Sequence, residues 1–232
     1  CDRLAATPDG KTLFVPSFEK DVWNVVDAAT GKVTADIETK SGAHNTICGL
    51  DGKRVYLAGL KSPLLFVADA KTNKVVGKVG PFAAAIRPFT VNGTQTLCFV
   101  NVNELLGFEV GDLKAGKKLH RVEVPDVKKG MVKRHGCPSH GIGLTPDEKE
   151  VWVVDAFNER VHVFDATVMP SKYATTSLPP AARPCLLVKN SILVGRVLAW
   201  GAALVTVGVP VIAAKPHTVL ARIAIANVFR MV

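Results

Sequence analysis

"TPDGKTLFVPSFEKDVWNVVDAATGKV", residues 7–33, decides the fold. Two apolar runs, "LFVPS" and "VWNVVD", are each preceded or followed by a cluster of turn formers, Pro-Asp-Gly-Lys and Thr-Gly-Lys. Pro, Asp and Gly supply the backbone angles that tight turns require, and Val and aromatic residues suit strands. The chain writes related text three more times: "LDGKRVYLA" at 50–58, "VNGTQTLCF" at 91–99 and "TPDEKEVWV" at 145–153.

Aligned on Asp9, Asp51, Asn92 and Asp147, the units are 42, 41 and 55 residues apart. Eighteen residues beyond each stand Asp27, Asp69, Val110 and Asp165, three of them aspartates that close an apolar strand. Each unit reads as four short strands. A four-stranded sheet cannot cover both of its faces, whereas sheets repeated every 40-odd residues around an axis can; this spacing predicts blades.

These motifs resemble the YVTN β-propeller repeats, with their Pro-Asp-Gly turn, Val-Ile-Asp-type strand and Thr-Gly-Lys turn. "HGIGLTPDEKEVWVVD", residues 140–155, is similar to the family's first strand and turn. The resemblance covers about residues 1–170 and implies an all-β propeller of four-stranded antiparallel blades. About four blades are visible, as part of a larger ring, in units near 1–40, 41–82, 83–135 and 136–175. It also implies a periplasmic or extracellular location. Two departures stand out: Val110 replaces the closing Asp in a third unit with about thirteen extra residues, and "ATVMPSK" replaces the last Thr-Gly-Lys turn.

The net charge of +9 is unevenly placed. Residues 1–165 hold 22 Lys and Arg against 20 acids, while residues 166–232 hold 7 and no acid. The repeats are thus nearly neutral, which gives no basis for specific nucleic-acid binding. Five cysteines without a CxxC pair do not form a dense disulfide framework. The chain reads as processed or as a piece, and Cys1 as a lipid-bearing start is disfavoured because it runs directly into a repeat. Residues 176–232 form an acid-free apolar tail. Within it, 197–214 carries no charge and is open to three readings: a membrane span flanked by Arg196 and Lys215, degenerate blade strands, or text foreign to the repeat of the kind a shifted frame produces.

Candidate chemistry lies on the inner strand, which lines a propeller's axis. Seven residues before the aligned turn stand Asp2, His44, Ala85 and His140, with Arg87 two residues further along its unit. His44, Arg87 and His140 converging at one channel mouth would bind an anionic oxygen ligand. Histidines that only pin loops are the competing reading. "KRHGCPSHG", residues 133–141, places His135, Cys137 and His140 together as ligands for zinc or copper, without a standard spacing. The basic run 117–135 reads as a solvated surface strand or loop. Trp23, Tyr56 and Trp152 read as packing between blades. The functional expectation is a non-catalytic binding or scaffold propeller for a small anion or a protein partner. The alternative is a propeller enzyme, either a lactonase-type hydrolase or a metal-dependent redox protein.

Overall fold

The computed structural model describes residues 3–128, 130, 136–155 and 157–174, together with two strand segments at 197–200 and 203–206. Among these residues the chain is all β. Four four-stranded antiparallel sheets follow one another, each with its strands in sequence order. The first sheet holds β1 (Ala5–Ala6), β2 (Thr12–Ser17), β3 (Val22–Asp27) and β4 (Val33–Glu38); the second, β5 (Ala43–Cys48), β6 (Arg54–Gly59), β7 (Leu65–Asp69) and β8 (Lys74–Val79). The third holds β9 (Ile86–Val91), β10 (Leu97–Val102), β11 (Gly107–Asp112) and β12 (Lys117–Glu123); the fourth, β13 (Ser139–Leu144), β14 (Glu150–Asp155), β15 (Arg160–Asp165) and β16 (Lys172–Tyr173). The inner strands, expected just before each aligned turn, therefore appear as β1, β5, β9 and β13.

The second and third sheets are covered on both faces by their neighbours, and the first and fourth on one, because alternate residues of a strand point to opposite sides. Trp23, Phe14 and Ile37 of the first sheet pack on Leu57 and Phe66 of the second. Tyr56, Ala58 and Leu65, on the other face of the second, pack on Phe89, Cys98 and Val100 of the third. Phe99, Phe108 and Val110 then meet Val151, Val153 and Phe164 of the fourth, with Phe108 and Phe164 edge to face at 5.0 Å. Polar tips bind across the same seams: Trp23 Nε1 donates to Thr46 Oγ1 at 2.7 Å, and Tyr56 OH to Gln95 Oε1 at 3.0 Å. Trp152 differs, since its Nε1 donates to Glu150 on its own strand.

The repeated turn joins the first two strands of each sheet and also ties neighbouring sheets together. Backbone bonds 10→7, 52→49, 95→92 and 148→145 make the four turns equivalent. At the donor positions Gly10, Gly52, Gln95 and Glu148 all have positive φ, between 55° and 70°. Gln95 and Glu148 carry a steric cost there that glycine avoids, and both side chains reach the preceding turn. Gln95 accepts from Tyr56, and Glu148 Oε1 accepts from Gly93 N.

These bonds correct the alignment of the third unit. Asn92 sits where Thr7, Gly49 and Thr145 sit, so Thr94 rather than Asn92 takes the place of Asp9. The steps become 42, 43 and 53, and eighteen residues past Thr94 lies Asp112. The closing Asp is therefore present. Asp112 Oδ1 accepts from Lys114 N and Ala115 N, as Asp69 Oδ1 does from Lys71 N and Thr72 N, while Val110 is fully buried. Pairing irregularities that begin at Val25, Val67 and Val110 follow the same 42 and 43 steps. The remaining extra residues fall in the connection from β12 to β13.

The basic run is divided. Its first part is β12, the outer edge of the third sheet, where Lys118 and Arg121 lie 3.2 and 3.5 Å from the fully buried carboxylate of Glu109. Exposed charges on an edge strand discourage sheet-to-sheet addition. Within the tail, β17 (Val197–Trp200) and β18 (Ala203–Thr206) pair as an antiparallel hairpin. The rest of 175–232 lies outside the described residues. Among the described residues no helix is long and apolar enough to cross a membrane.

The corrected register has a direct test. Asp112→Ala should lower Tm about as much as Asp69→Ala does, by roughly 2–5 °C. Thr94→Asp should be neutral or stabilising, and Val110→Asp should unfold the protein by placing a carboxylate in an apolar seam. Thermal melts of the four variants decide it.

Candidate functional site

His44, Arg87 and His140 occupy the same place in three successive sheets. With Thr94 as the turn residue, Arg87 lies seven before it, as His44 does before Asp51 and His140 before Asp147. The expected two-residue offset of Arg87 came from the misplaced turn. Each is the second residue of its inner strand, and β5, β9 and β13 share one pattern of burial in which that residue is half-buried.

Each also sits in a bulge. Between the pairs Ala43↔Gly59 and Asn45↔Ala58, His44 is one residue too many. Between Ile86↔Val102 and Phe89↔Val100, two residues of β9 face one of β10; between Ser139↔Asp155 and Ile142↔Val153, two of β13 face one of β14. A bulge leaves its extra residue out of the ladder and re-aims the side chain. The three strands are neighbours, since β9 packs against both β5 and β13.

The connections that lead into these strands are fixed by the preceding sheet. Asp21 Oδ1 accepts from Gly42 N at 2.5 Å and from Ala43 N at 3.2 Å. Phe82 N donates to Pro63 O, and Ile86 N to Ser62 O. Ser139 Oγ accepts from Gly107 N at 2.7 Å and donates to Leu105 O at 3.1 Å. Arg87 is oriented further, its Nε donating to Asn103 Oδ1 at 2.6 Å on the loop between β10 and β11. Sequence reading did not select Asn103, because a loop Asn carries no periodic signal.

Cys137 is fully buried, and its Sγ donates to Ser139 O at 2.8 Å and to Val102 O at 3.3 Å. Burial pushes its thiol up to about 12, against a smaller downward pull from the Arg87 charge and the Ser139 backbone. A protonated thiol engaged with carbonyls anchors the connection; a metal would require it as thiolate. Among the described residues no three His, Cys, Asp or Glu side chains gather closely enough to hold a metal ion. His135 lies outside the described residues, as does Asp2.

Arg3 is a residue that the sequence reading missed. Its position, one past Asp2, is bridged in parallel to Asn45 of the second sheet, and its Nη1 donates to Phe89 O of the third at 3.1 Å. It thus reaches from the first sheet to the inner strand two sheets away. Burial lowers its guanidinium from the ordinary value to about 10.

A second polar cluster is structural. Asp155 and His162 are each 1% exposed. His162 bridges Asp155 Oδ2 at 3.1 Å and Tyr173 OH at 3.0 Å, and Asn158 Nδ2 donates to the same carboxylate oxygen at 2.7 Å. Burial raises the Asp155 carboxyl, but the hydrogen bonds from His162 and Asn158 outweigh it and hold the group below its usual range.

No protein-family model and no curated protein matches the chain. Among solved structures it is similar to hydrazine synthase from Kuenenia stuttgartiensis, at 17% identity and a TM-score of 0.59. The alignment covers 74% of this chain and 48% of that one, so the chain spans about half the neighbour's length. The fold is a β-propeller. The propeller's sheets are blades, and at this identity the likeness bears on fold alone.

Three measurements follow. His162→Ala strands a buried carboxylate and should cost about 2–4 kcal/mol in denaturant unfolding. Because the folded pKa of Asp155 is depressed, its contribution is full above about pH 4 and is lost as pH falls through the folded value. The stability gap between wild type and Asp155→Asn should accordingly close in acid. In native protein at pH 8, Cys137 should resist iodoacetamide and become labelled only on unfolding, as peptide mass spectrometry would read.

Proposed function

We propose that this chain is a YVTN-like propeller acting as a non-catalytic binding module, with its ligand site at the channel mouth formed by His44, Arg87 and His140. The observation that carries the reading is their equivalence: three successive inner strands each place a cationic or imidazole side chain at a bulge in the same position. A blade needs no such residue for its ladder, since the bulge takes it out of the pairing. Two imidazoles beside a guanidinium suit an anionic oxygen ligand, a carboxylate or a phosphate. The YVTN likeness carries with it a proposed periplasmic or extracellular setting. No described arrangement favours the enzyme readings in the same way, because Cys137 is engaged with backbone carbonyls.

The test is isothermal titration with inorganic phosphate and with acetate. His44→Ala combined with His140→Ala should weaken both by about tenfold or more while Tm stays within a few degrees. A double variant that melts much lower, with anion affinity unchanged, would make these histidines loop pins and end the proposal.

A further inference from the structure

We infer that the channel mouth selects dianions over monoanions, and that Arg3 is the residue that confers this, acting with Arg87 and the amide of Asn45. The inference rests on the anion-site reading above. Arg87 alone supplies one permanent charge. Arg3 brings a second to the same inner strand: its Nη1 is bonded to the carbonyl of Phe89, two residues beyond Arg87.

Neither guanidinium has a carboxylate partner among the described residues. The ion pairs there involve other groups. Arg87 spends its Nε on a neutral amide, and Arg3 spends one N–H on a neutral carbonyl. A guanidinium has five N–H donors in a planar fork, so both keep donors for a ligand. Withdrawing a cation from water without a counter-charge is costly, and a bound anion offsets that cost.

Asn45 is an independent indication. It is 3% exposed, its backbone is bridged to Arg3, and its Nδ2 is buried with no acceptor. A buried amide N–H without a partner costs about 1–3 kcal/mol, and proteins rarely leave one so. A buried donor and an uncompensated guanidinium on adjoining inner strands together call for acceptor oxygens. The chemical class is a small dianion, such as a phosphate monoester or a short dicarboxylate.

The experiment compares inorganic phosphate and malonate, both largely dianionic at pH 8, with acetate, by isothermal titration at constant ionic strength. Wild type should bind the dianions about tenfold or more tightly than acetate. Arg3→Gln should collapse that ratio to about threefold or less, Arg3→Lys should restore part of it, and Asn45→Ala should weaken all three anions. Arg54→Gln, which removes a charge paired with Asp69 at the other end of the blade, is the control for net charge. Circular dichroism melts confirm that each variant is folded.

An unchanged dianion ratio in folded Arg3→Gln overturns the inference and leaves the three-residue site standing. Loss of dianion binding in Arg3→Gln, with full binding in the double histidine variant, upholds Arg3 and overturns the histidine site. Absence of measurable binding by wild type to any of the three anions overturns both.

Discussion

Face-to-face packing between blades is the constraint on which the rest of the structure depends. A four-stranded sheet of Val, Leu and Phe has two apolar faces, and each must be covered. Trp23 against Leu57, Tyr56 against Phe89, and Phe108 against Phe164 are successive solutions to that single requirement. Because neighbours are held by their faces, their inner edges are held too. Inner strands therefore follow one another in a fixed order, with β9 beside both β5 and β13.

The two ends of the molecule divide the work. At one end the Asp-Gly-type turns seal the seams, with Gln95 and Glu148 tolerating left-handed backbone so that their side chains can reach the adjacent turn. At the other end the connections into β5, β9 and β13 are pinned to the preceding blade, by the Asp21 carboxylate, by the Ser62 and Pro63 carbonyls, and by the hydroxyl of Ser139 on β13 itself. The first end uses repeated residues for repeated geometry. The second obtains equivalent geometry from unlike residues: Asp21, Ser62 and Ser139 perform similar anchoring with different chemistry.

That contrast explains what was legible in the sequence. Turn and strand text recurs because its backbone angles and alternation admit few residues, so blades could be read at 40-odd spacing. His44 and His140 were visible by the same arithmetic. Arg87 was found but misplaced, because the third turn has Asn where the others have Thr or Gly, and two polar residues in a turn slide past each other without changing the pattern. Hydrogen bonds from Gln95 N to Asn92 O, and from Asn92 N to Leu97 O, remove the ambiguity. Asn103, Asn45 and Arg3 were illegible for another reason. Asn103 is a loop residue that orients Arg87 within its own blade, while Arg3 and Asn45 matter through contacts between blades, up to 86 residues apart in the case of Arg3 and Phe89, and no local period encodes either.

The bulges on the inner strands carry a consequence for how such a protein can change over time. At an ordinary strand position a side chain must satisfy the pleat, the cross-strand neighbour and the adjoining blade at once. The extra residue of a bulge is released from the first two obligations. His44, Arg87 and His140 accordingly place two kinds of side chain, imidazole and guanidinium, at one repeated address on three successive inner strands. The scaffold therefore offers, on β5, β9 and β13, a repeated address that lies at a break in the ladder. Residues can be exchanged there blade by blade while the apolar packing between the sheets stays untouched.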